Sequence, residues 1–217
     1  MSNKKKQYDA VVLVSGGIDS TVLLHQLCSE YTRIAALCIH YGQRHKKEME
    51  CARFQSNAVQ EVSFRSLDMG GLGDFLKETS SLICDGVPVP DLNDLSSSDR
   101  EQPSTYVPNR NMILLSVAAA YAESISASHV FYGAQAQDEY GYWDCTVPFL
   151  EGINATLALN RRNAVVVKAP LIHNSKADNV RMGFELGVDF SHTWSCYRGE
   201  EKACGTCPTC VERLKAF

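Results

Sequence analysis

The chain of 217 residues is long enough for one domain with a sizeable core, because 45% of its residues are hydrophobic. Its formal net charge of -4 provides no overall basic field, which argues against a protein that binds nucleic acid through phosphate contacts alone. No apolar segment approaches the length of a membrane span, and none precedes the first predicted strand. We therefore expect a cytoplasmic protein with no membrane partner.

Apolar, β-branched runs alternate with helical patterns along most of the chain. The runs that predict strands lie at residues 10–14, 34–39, 61–67, 129–133 and 164–168. The helical patterns lie at about residues 20–29, 44–59, 110–127 and 175–186. This alternation predicts an α/β fold of three layers, in which helices cover both faces of a parallel sheet. The ligand of such a sheet binds beyond the carboxyl ends of its strands.

The first predicted strand runs directly into Ser-Gly-Gly-Ile-Asp-Ser at residues 15–20, and a helical pattern follows at once. The two glycines lack a Cβ, so they allow a tight turn and a close approach of the backbone to a ligand. The N-terminus of the following helix offers unpaired N–H groups and a positive dipole end to an anion such as pyrophosphate. Asp19 is a candidate ligand of Mg²⁺ beside the phosphates. The loop is not a Walker A loop, which needs a longer spacing and a lysine.

Two stretches lie outside this regular alternation. Residues 84–108 contain four prolines and a polar run at 96–100, which predicts a long flexible loop and a candidate lid over the site. The last residues form a cysteine-rich segment. We therefore divide the chain into a main domain of residues 1–190 and a C-terminal segment of residues 191–217 that packs on it.

Four cysteines lie within fifteen residues of the C-terminal segment. Thiolates at this spacing are typical of a tetrahedral structural zinc site, and Gly205 and Pro208 can form the short turns that such a site needs. An iron–sulfur cluster is the alternative, because closely spaced cysteines hold those as well. A closed zinc site stabilises its segment and does not touch a substrate. The predicted zinc ligands are Cys196, Cys204, Cys207 and Cys210.

The loop at residues 15–20 resembles the PP-loop of ATP pyrophosphatases, which cleave ATP between its α and β phosphates and adenylate an oxygen of a substrate. Three further segments narrow the resemblance. They are Tyr-Gly-Gln-Arg-His at residues 41–45, Pro-Ser-Thr-Tyr-Val-Pro-Asn-Arg-Asn at residues 103–111 and Thr-Trp-Ser-Cys-Tyr at residues 193–197. Together with the cysteine cluster, these segments resemble the 7-cyano-7-deazaguanine synthase (QueC) family over nearly the whole chain.

The resemblance implies an adenine nucleotide alpha hydrolase-like fold and a ligase that forms C–N bonds, with AMP and pyrophosphate as products. The family converts 7-carboxy-7-deazaguanine to a nitrile with ATP and ammonia, for queuosine biosynthesis. Adenylation supplies a leaving group, an amine attacks to give the amide, and a second activation on the amide oxygen allows dehydration. The implied cofactors are ATP, Mg²⁺ and Zn²⁺, and we expect a homodimer without direct contact to nucleic acid.

The resemblance also implies roles for particular side chains. The residues expected to bind ATP are Ser15, Gly16, Gly17, Asp19, Ser20, Thr21, Arg44 and Lys46. The expected catalytic residues are Asp19, Ser20, His45 and Arg110. The expected contacts of the substrate are Tyr41, Gln43, Asn109, Arg110, Asn111, Asp138, Tyr142, Trp143 and Asp144. Alternatives stay open, because Arg44 and Lys46 can form an exposed basic helix face and the polar neighbours of Arg110 can be helix caps.

The chain departs from the family's usual pattern in one segment. Where the family usually has Ser-Gly-Tyr-Pro-Asp-Cys-Arg followed by an acidic residue, residues 140–146 are Tyr-Gly-Tyr-Trp-Asp-Cys-Thr. A milder departure is Asn109, where many relatives have glycine. Loss of a fixed cation changes which partners a pocket accepts.

Trp143 and Thr146, which mark this departure, therefore motivate a second hypothesis about the acceptor. In it, a QueC-like enzyme of a phage or phage-defence system transfers the activated deazaguanine carboxylate to another amine, such as a protein amine. Two further hypotheses are a catalytically altered nucleotide-binding sensor and a PP-loop enzyme that modifies tRNA. The acidic charge balance argues against the tRNA-modifying enzyme.

Overall fold

Five parallel strands form the sheet of the computed structural model, which describes residues 8–94, 103–136, 138 and 141–217. The strands are β1 (Ala10–Leu13), β2 (Ile34–His40), β3 (Val62–Asp68), β4 (His129–Phe131) and β5 (Val166–Lys168). They lie in the order β3-β2-β1-β4-β5, and every neighbouring pair is parallel. All five predicted strands are confirmed, because each observed end lies within two residues of the predicted one.

The described part of the chain contains seven α-helices. They are α1 (Ile18–Glu30), α2 (Lys47–Ala58), α3 (Gly71–Leu76), α4 (Arg110–Ser124), α5 (Val147–Leu157), α6 (Lys176–Glu185) and α7 (Pro208–Ala216). The helical patterns predicted α1, α2, α4 and α6, whereas α3, α5 and α7 are additional. Helix α5 begins where it does because the Thr146 hydroxyl accepts the N–H of Phe149, and Pro148 occupies the first turn.

The core lies on both faces of the sheet because successive side chains of a strand point in opposite directions. On one face, Val11 packs in a cluster with Leu115 of α4 and Phe149 of α5. On the other face, Val12 packs in a cluster with Leu24 of α1. This second cluster also includes a residue of α2. β1 and β2 are therefore buried on both faces, which explains why they are continuous apolar runs. The edge strand β3 is partly exposed instead, and its apolar residues alternate with polar ones.

The carboxyl ends of the strands define one edge of the sheet, where the chain passes into loops. The strand order reverses beside β1, because β2 and β3 lie on one side of it and β4 and β5 lie on the other. A crevice forms outside the carboxyl ends at such a switch point and is the usual ligand site of an open α/β sheet. The loop at residues 15–17 follows β1 and lies at this point.

Residues 84–94 are tied to the C-terminal segment. The N–H of Leu92 donates to the carbonyl oxygen of Thr206 at 3.1 Å, and the Arg198 guanidinium donates to the Asp91 carboxylate at 2.7 Å. Residues 84–94 form an irregular loop with a single short helical turn at Leu92–Asp94, as the sequence predicts, and its flexibility stays a prediction. Residues 95–102 lie outside the described residues, so the lid stays a prediction.

The C-terminal segment packs on the rest of the chain through contacts between α7 and α6. It also reaches the loop after β1, because the N–H of Trp194 donates to the carbonyl oxygen of Gly16 at 2.9 Å. The division of the chain at residue 190 stays a prediction. None of the helices described above is both long and apolar enough to cross a membrane.

Candidate active site

A cavity of about 250 Å³ lies at the carboxyl ends of β1, β2 and β4. The predicted site residues that line it are Ser15, Gly17, Asp19, Ser20, Tyr41, Gln43, His45, Arg110, Asn111 and Asp138. The C-terminal segment contributes Trp194, Ser195, Tyr197, Thr209, Glu212 and Arg213 to the lining. The fold therefore joins the loop after β1, the start of α4 and the cysteine-rich segment around one space.

The loop after β1 owes its shape to Gly16 and to two serine hydroxyls. Gly16 has a φ of 85°, and a Cβ there would lie 2.1 Å from the carbonyl oxygen of Glu48, so the position requires glycine. Gly17 has a φ of -76°, which any residue adopts. The Ser20 hydroxyl accepts the N–H of Ser15 at 3.2 Å and lies 3.1 Å from the Ser15 hydroxyl. No side chain of the described residues caps α1, which leaves N–H groups of its first turn for an anion.

Two side chains of α6 that the sequence analysis missed hold Asp19. The Lys176 Nζ lies 2.5 Å from one oxygen of the carboxylate, and the Asn179 amide donates to the other at 2.8 Å. Burial alone would lower the pKa of Lys176, but Asp19 and further carboxylates raise it overall, so the ammonium stays charged. A signal was present in the sequence, because a lysine at the first position of a helix opposes the helix dipole and indicates an acidic partner.

Asp138 is a second half-buried carboxylate near this ion pair. It accepts hydrogen bonds from the backbone N–H of Gln135 at 3.2 Å and from the Gln135 amide at 3.5 Å. Burial raises the pKa of Asp138 to about 6. The carboxylates of Asp19 and Glu212 add to this shift, whereas the Lys176 ammonium opposes it. Asp138 therefore changes its charge within the range of pH in which enzymes are assayed.

The raised pKa of Asp138 predicts a pH dependence of folding stability. Because the folded carboxyl binds its proton at a higher pH than the unfolded one, the free energy of unfolding falls as the pH rises from about 4 to about 6. One pKa unit is worth about 1.4 kcal/mol, so this group alone accounts for about 3 kcal/mol at most. Urea titrations across this range should show a smaller fall for Asp138→Asn. The surface control Asp9→Asn should keep the wild-type slope, and an equal slope in Asp138→Asn would contradict the raised pKa.

The start of α4 places a cation and an amide in the cavity wall. The backbone N–H of Asn111 donates to the Asp144 carboxylate at 2.9 Å, and its amide donates to the Cys145 Sγ at 3.1 Å. Arg110 lies beside Tyr41, where burial raises the pKa of the phenol and the guanidinium opposes that shift. Burial on its own would lower the pKa of Arg110, but the acidic groups around it raise it overall. Arg110 is therefore a fixed positive charge that a carboxylate ligand can reach.

His45 lies buried in the cavity wall beside Glu48 and Tyr197. Its Nε2 lies 3.2 Å from the Glu48 carboxylate, and its ring centroid lies 5.8 Å from that of Tyr197. The Nδ1 atom is buried and has no hydrogen-bond partner in the part of the chain that the structure describes. A carboxylate thus orients one ring nitrogen, while the other is shielded from solvent and has no partner among the described residues.

Other predicted site residues lie outside the lining of the cavity. They are Gly16, Thr21, Arg44, Lys46, Asn109, Tyr142, Trp143 and Asp144. Arg44 donates to the carbonyl oxygens of Ile83 and Gly86, and Lys46 is exposed at the start of α2. Lys46 thus fits the exposed basic face, whereas Arg44 is partly buried and precedes the helix. Neither position supports a contact with phosphate. Asn109 precedes α4 with a φ of 54°, a left-handed conformation that asparagine adopts more readily than most other residues.

The segment that departs from the family pattern makes structural contacts. The Tyr142 hydroxyl lies 2.6 Å from that of Thr105, and the Trp143 indole N–H donates to the Tyr106 hydroxyl at 2.8 Å. Thr146 caps α5 and donates to the carbonyl oxygen of Trp143. Neither Trp143 nor Thr146 lines the cavity. Their positions therefore give no support to the hypothesis that they alter the acceptor side of the site.

The predicted metal ligands come together at the start of α7, with Sγ atoms within 4.8 Å of one another: Cys196, Cys204, Cys207 and Cys210. All four are free of disulfide bonds, so the cluster can hold a metal ion. The N–H of Cys207 donates to the Cys204 Sγ at 3.4 Å, a bond that stabilises a thiolate. The cysteines do not line the cavity, but Thr209, Glu212 and Arg213 of the same helix do. The cysteines thus lie outside the cavity, in line with the expectation that the metal site does not touch a substrate, while other residues of α7 form part of the cavity wall.

The parallel sheet, the Ser-Gly-Gly-Ile-Asp-Ser loop at its switch point and the cavity beyond that loop define a protein of the PP-loop class. A 4-thiouridine synthetase solved with RNA and bound ATP matches with a TM-score of 0.57 and 18% identity, over 96% of this chain and 50% of that one. The NMN synthetase from Francisella tularensis matches with a TM-score of 0.53 and 12% identity, over 92% of this chain and 71% of that one. At these identities the likeness shows the fold alone.

The family model described as queuosine biosynthesis protein QueC matches residues 9–217, so the chain belongs to the QueC family. The 7-cyano-7-deazaguanine synthase of Hahella chejuensis is 41% identical over 208 residues, which cover 96% of this chain and 87% of that one. The 7-cyano-7-deazaguanine synthase of Thermoplasma acidophilum is 41% identical over 218 residues, with coverage of 96% and 87%. The similarity therefore extends over nearly the whole of this chain.

Proposed function

We propose that the protein uses ATP to activate the carboxylate of 7-carboxy-7-deazaguanine as an adenylate, and that ammonia captures this adenylate on the way to 7-cyano-7-deazaguanine. The observation that carries the proposal is the shared cavity of Asp19 and Arg110, which places an anion-binding helix N-terminus and a fixed cation around one space. The identity of the substrate rests on the activity named for the curated relatives.

The phosphates of ATP lie at the loop after β1 in this proposal. The first N–H groups of α1 and the hydroxyls of Ser15 and Ser20 donate hydrogen bonds to them. Asp19 fits a ligand of Mg²⁺, since it is a carboxylate in the first turn of a helix that an anion approaches. Asp19 would hold Mg²⁺ there, and the ion would supply positive charge to neutralise the departing pyrophosphate. Lys176 adds a second positive charge at the same end.

The deazaguanine carboxylate lies at Arg110, whose guanidinium can hold it by two hydrogen bonds. The tyrosine rings of Tyr41 and Tyr197 line the cavity and offer flat surfaces to the planar base. When ammonia attacks the acyl carbon, the nitrogen gains a bond and must lose a proton, and AMP leaves with the bonding electrons. His45 accepts this proton, and the Glu48 carboxylate stabilises the imidazolium that forms.

The amide becomes a nitrile by a second activation in the same site. A second ATP adenylates the amide oxygen, which then departs as AMP while the nitrogen loses two protons. The reaction therefore consumes two ATP for each nitrile and releases two AMP and two pyrophosphate. Arg110 and His45 serve both rounds, because the reacting oxygen and nitrogen stay on the same carbon.

Zn²⁺ is the ion that we propose for the cysteine cluster. Four thiolates around one Zn²⁺ at about 2.3 Å stand about 3.8 Å apart in a tetrahedron. The Sγ atoms lie within 4.8 Å of one another, which fits a single ion after a small contraction. An iron–sulfur cluster binds its thiolates to several iron ions, so it needs a wider separation. A homodimer stays an expectation of the resemblance, and no contact described above favours a protein amine as acceptor.

A reaction with purified protein tests the proposal directly. With ATP, Mg²⁺, 7-carboxy-7-deazaguanine and ammonia, we expect AMP, pyrophosphate and 7-cyano-7-deazaguanine, measured by chromatography and mass spectrometry. The reaction without the deazaguanine is the control and should form little AMP. Formation of ADP and phosphate would contradict cleavage between the α and β phosphates. An adenylate that ammonia fails to discharge, but a peptide amine discharges, would favour the second hypothesis about the acceptor.

A further inference from the structure

Glu212 brings a carboxylate from the cysteine-rich segment into the phosphate end of the cavity. It lies on α7, two residues after the cluster cysteine Cys210. One of its oxygens lies 3.6 Å from the Lys176 Nζ, and the other accepts the Gln135 amide at 3.5 Å. The Glu212 side chain is one third exposed (33%), so it stands at the border between the cavity and solvent.

The position of Lys176 depends on its carboxylate partners. Its side chain is only 15% exposed, and it carries its charge on a flexible four-carbon stem. An ammonium that is mostly removed from water needs neighbouring negative charges to keep it in place. Asp19 provides the shorter contact at 2.5 Å, and Glu212 provides the second. A second carboxylate therefore retains the ammonium when a ligand engages Asp19.

We propose that Glu212 is a positioning residue for the phosphate end of the cavity. Its carboxylate anchors the Lys176 ammonium, and Lys176 in turn orients the Asp19 carboxylate. The inference rests on the proposed function, since it assigns a task within the same ATP site. It also explains why the cysteine-rich segment packs against this end of the sheet. Helix α7 begins directly after Cys207 and includes Cys210, so a metal ion in the cluster would fix the helix that presents Glu212.

Binding of a non-cleavable ATP analogue tests this task without relying on activity. Isothermal titration calorimetry with α,β-methylene-ATP and Mg²⁺ should show affinity about tenfold weaker for Glu212→Gln than for the wild type. Glu212→Asp retains the charge and should restore most of the loss. Glu200→Gln is the matched control, because it removes the same charge from an exposed position of the same segment. Its affinity should equal that of the wild type.

A double-mutant cycle separates positioning through Lys176 from an independent effect. In a Lys176→Met background, Glu212→Gln should change the affinity by less than about twofold, because the anchored group is already absent. Metal content should be the same in the wild type and in Glu212→Gln. Wild-type affinity in Glu212→Gln, additive losses in the double mutant, failure of Glu212→Asp to restore binding, or loss of the metal would each overturn the inference.

The outcome for the wild type keeps this inference distinct from the proposed function. A wild-type protein that does not bind the analogue has no ATP site of the proposed kind, which overturns both. A wild-type protein that binds the analogue, beside a Glu212→Gln variant that binds it equally well, overturns the role of Glu212 alone.

Discussion

Asp19→Asn should lower the rate of AMP formation by at least about 100-fold, while the protein keeps its fold. The asparagine has the same shape but lacks the charge that we propose to hold Mg²⁺ beside the phosphates. Asp19 is not a core residue, because it lines the cavity. Lys176 keeps its second contact with Glu212 in the variant, so we expect little change in the melting temperature. Steady-state kinetics and circular dichroism measure the two effects.

Asp9→Asn is the control for the loss of one negative charge. Asp9 pairs with Arg33 at 3.3 Å, outside the cavity, so its replacement should leave the rate unchanged. AMP formation by Asp19→Asn within about threefold of the wild-type rate would contradict the role of this carboxylate, because removal of a charge from a metal ligand costs much more. A variant that is inactive because it has unfolded would be recognised from its circular dichroism spectrum.

Cys207→Ser should release the bound metal and lower the melting temperature. The Cys207 side chain is fully buried, and a serine hydroxyl is a poor replacement for a thiolate on Zn²⁺. Free energy of metal binding is folding free energy for a segment of this kind, and it amounts to about 10–16 kcal/mol in zinc-finger peptides, so loss of a ligand should be strongly destabilising. Metal analysis and thermal denaturation measure the loss.

The consequences of Cys207→Ser should extend to the ATP site. Helix α7 begins directly after Cys207 and places Thr209, Glu212 and Arg213 in the cavity lining. Binding of α,β-methylene-ATP should therefore weaken together with the loss of metal. Cys28→Ser, at a half-buried cysteine outside the cluster, should retain metal and binding. Full metal content in Cys207→Ser would show that this thiol is not a ligand.

The fold was largely predictable because its signals are local. The central strands β1 and β2 are apolar runs that need burial on two faces, and the loop at residues 15–20 links the first of them to a helix within six residues. The helices that the sequence analysis missed have other origins. Helix α5 depends on the Thr146 cap and on the packing of Phe149. Helix α7 overlaps the cysteine cluster, and the spacing of these cysteines does not form a helical pattern.

The cysteine cluster and the loop at residues 15–20 could be identified from the sequence because each occupies a short span in which residue type and spacing define the chemistry. The contact between Asp19 and Lys176 could not, because the two residues lie far apart in the chain and meet only when β1 and β5 join one sheet. The same holds for Glu212, which reaches the cavity through the packing of α7 on α6.

Conversely, the charges of Arg44 and Lys46 suggested that both bind phosphate. In the structure, Arg44 donates to backbone carbonyl oxygens and Lys46 is exposed to solvent. Charge is a property of the residue, whereas its partner depends on how distant segments pack.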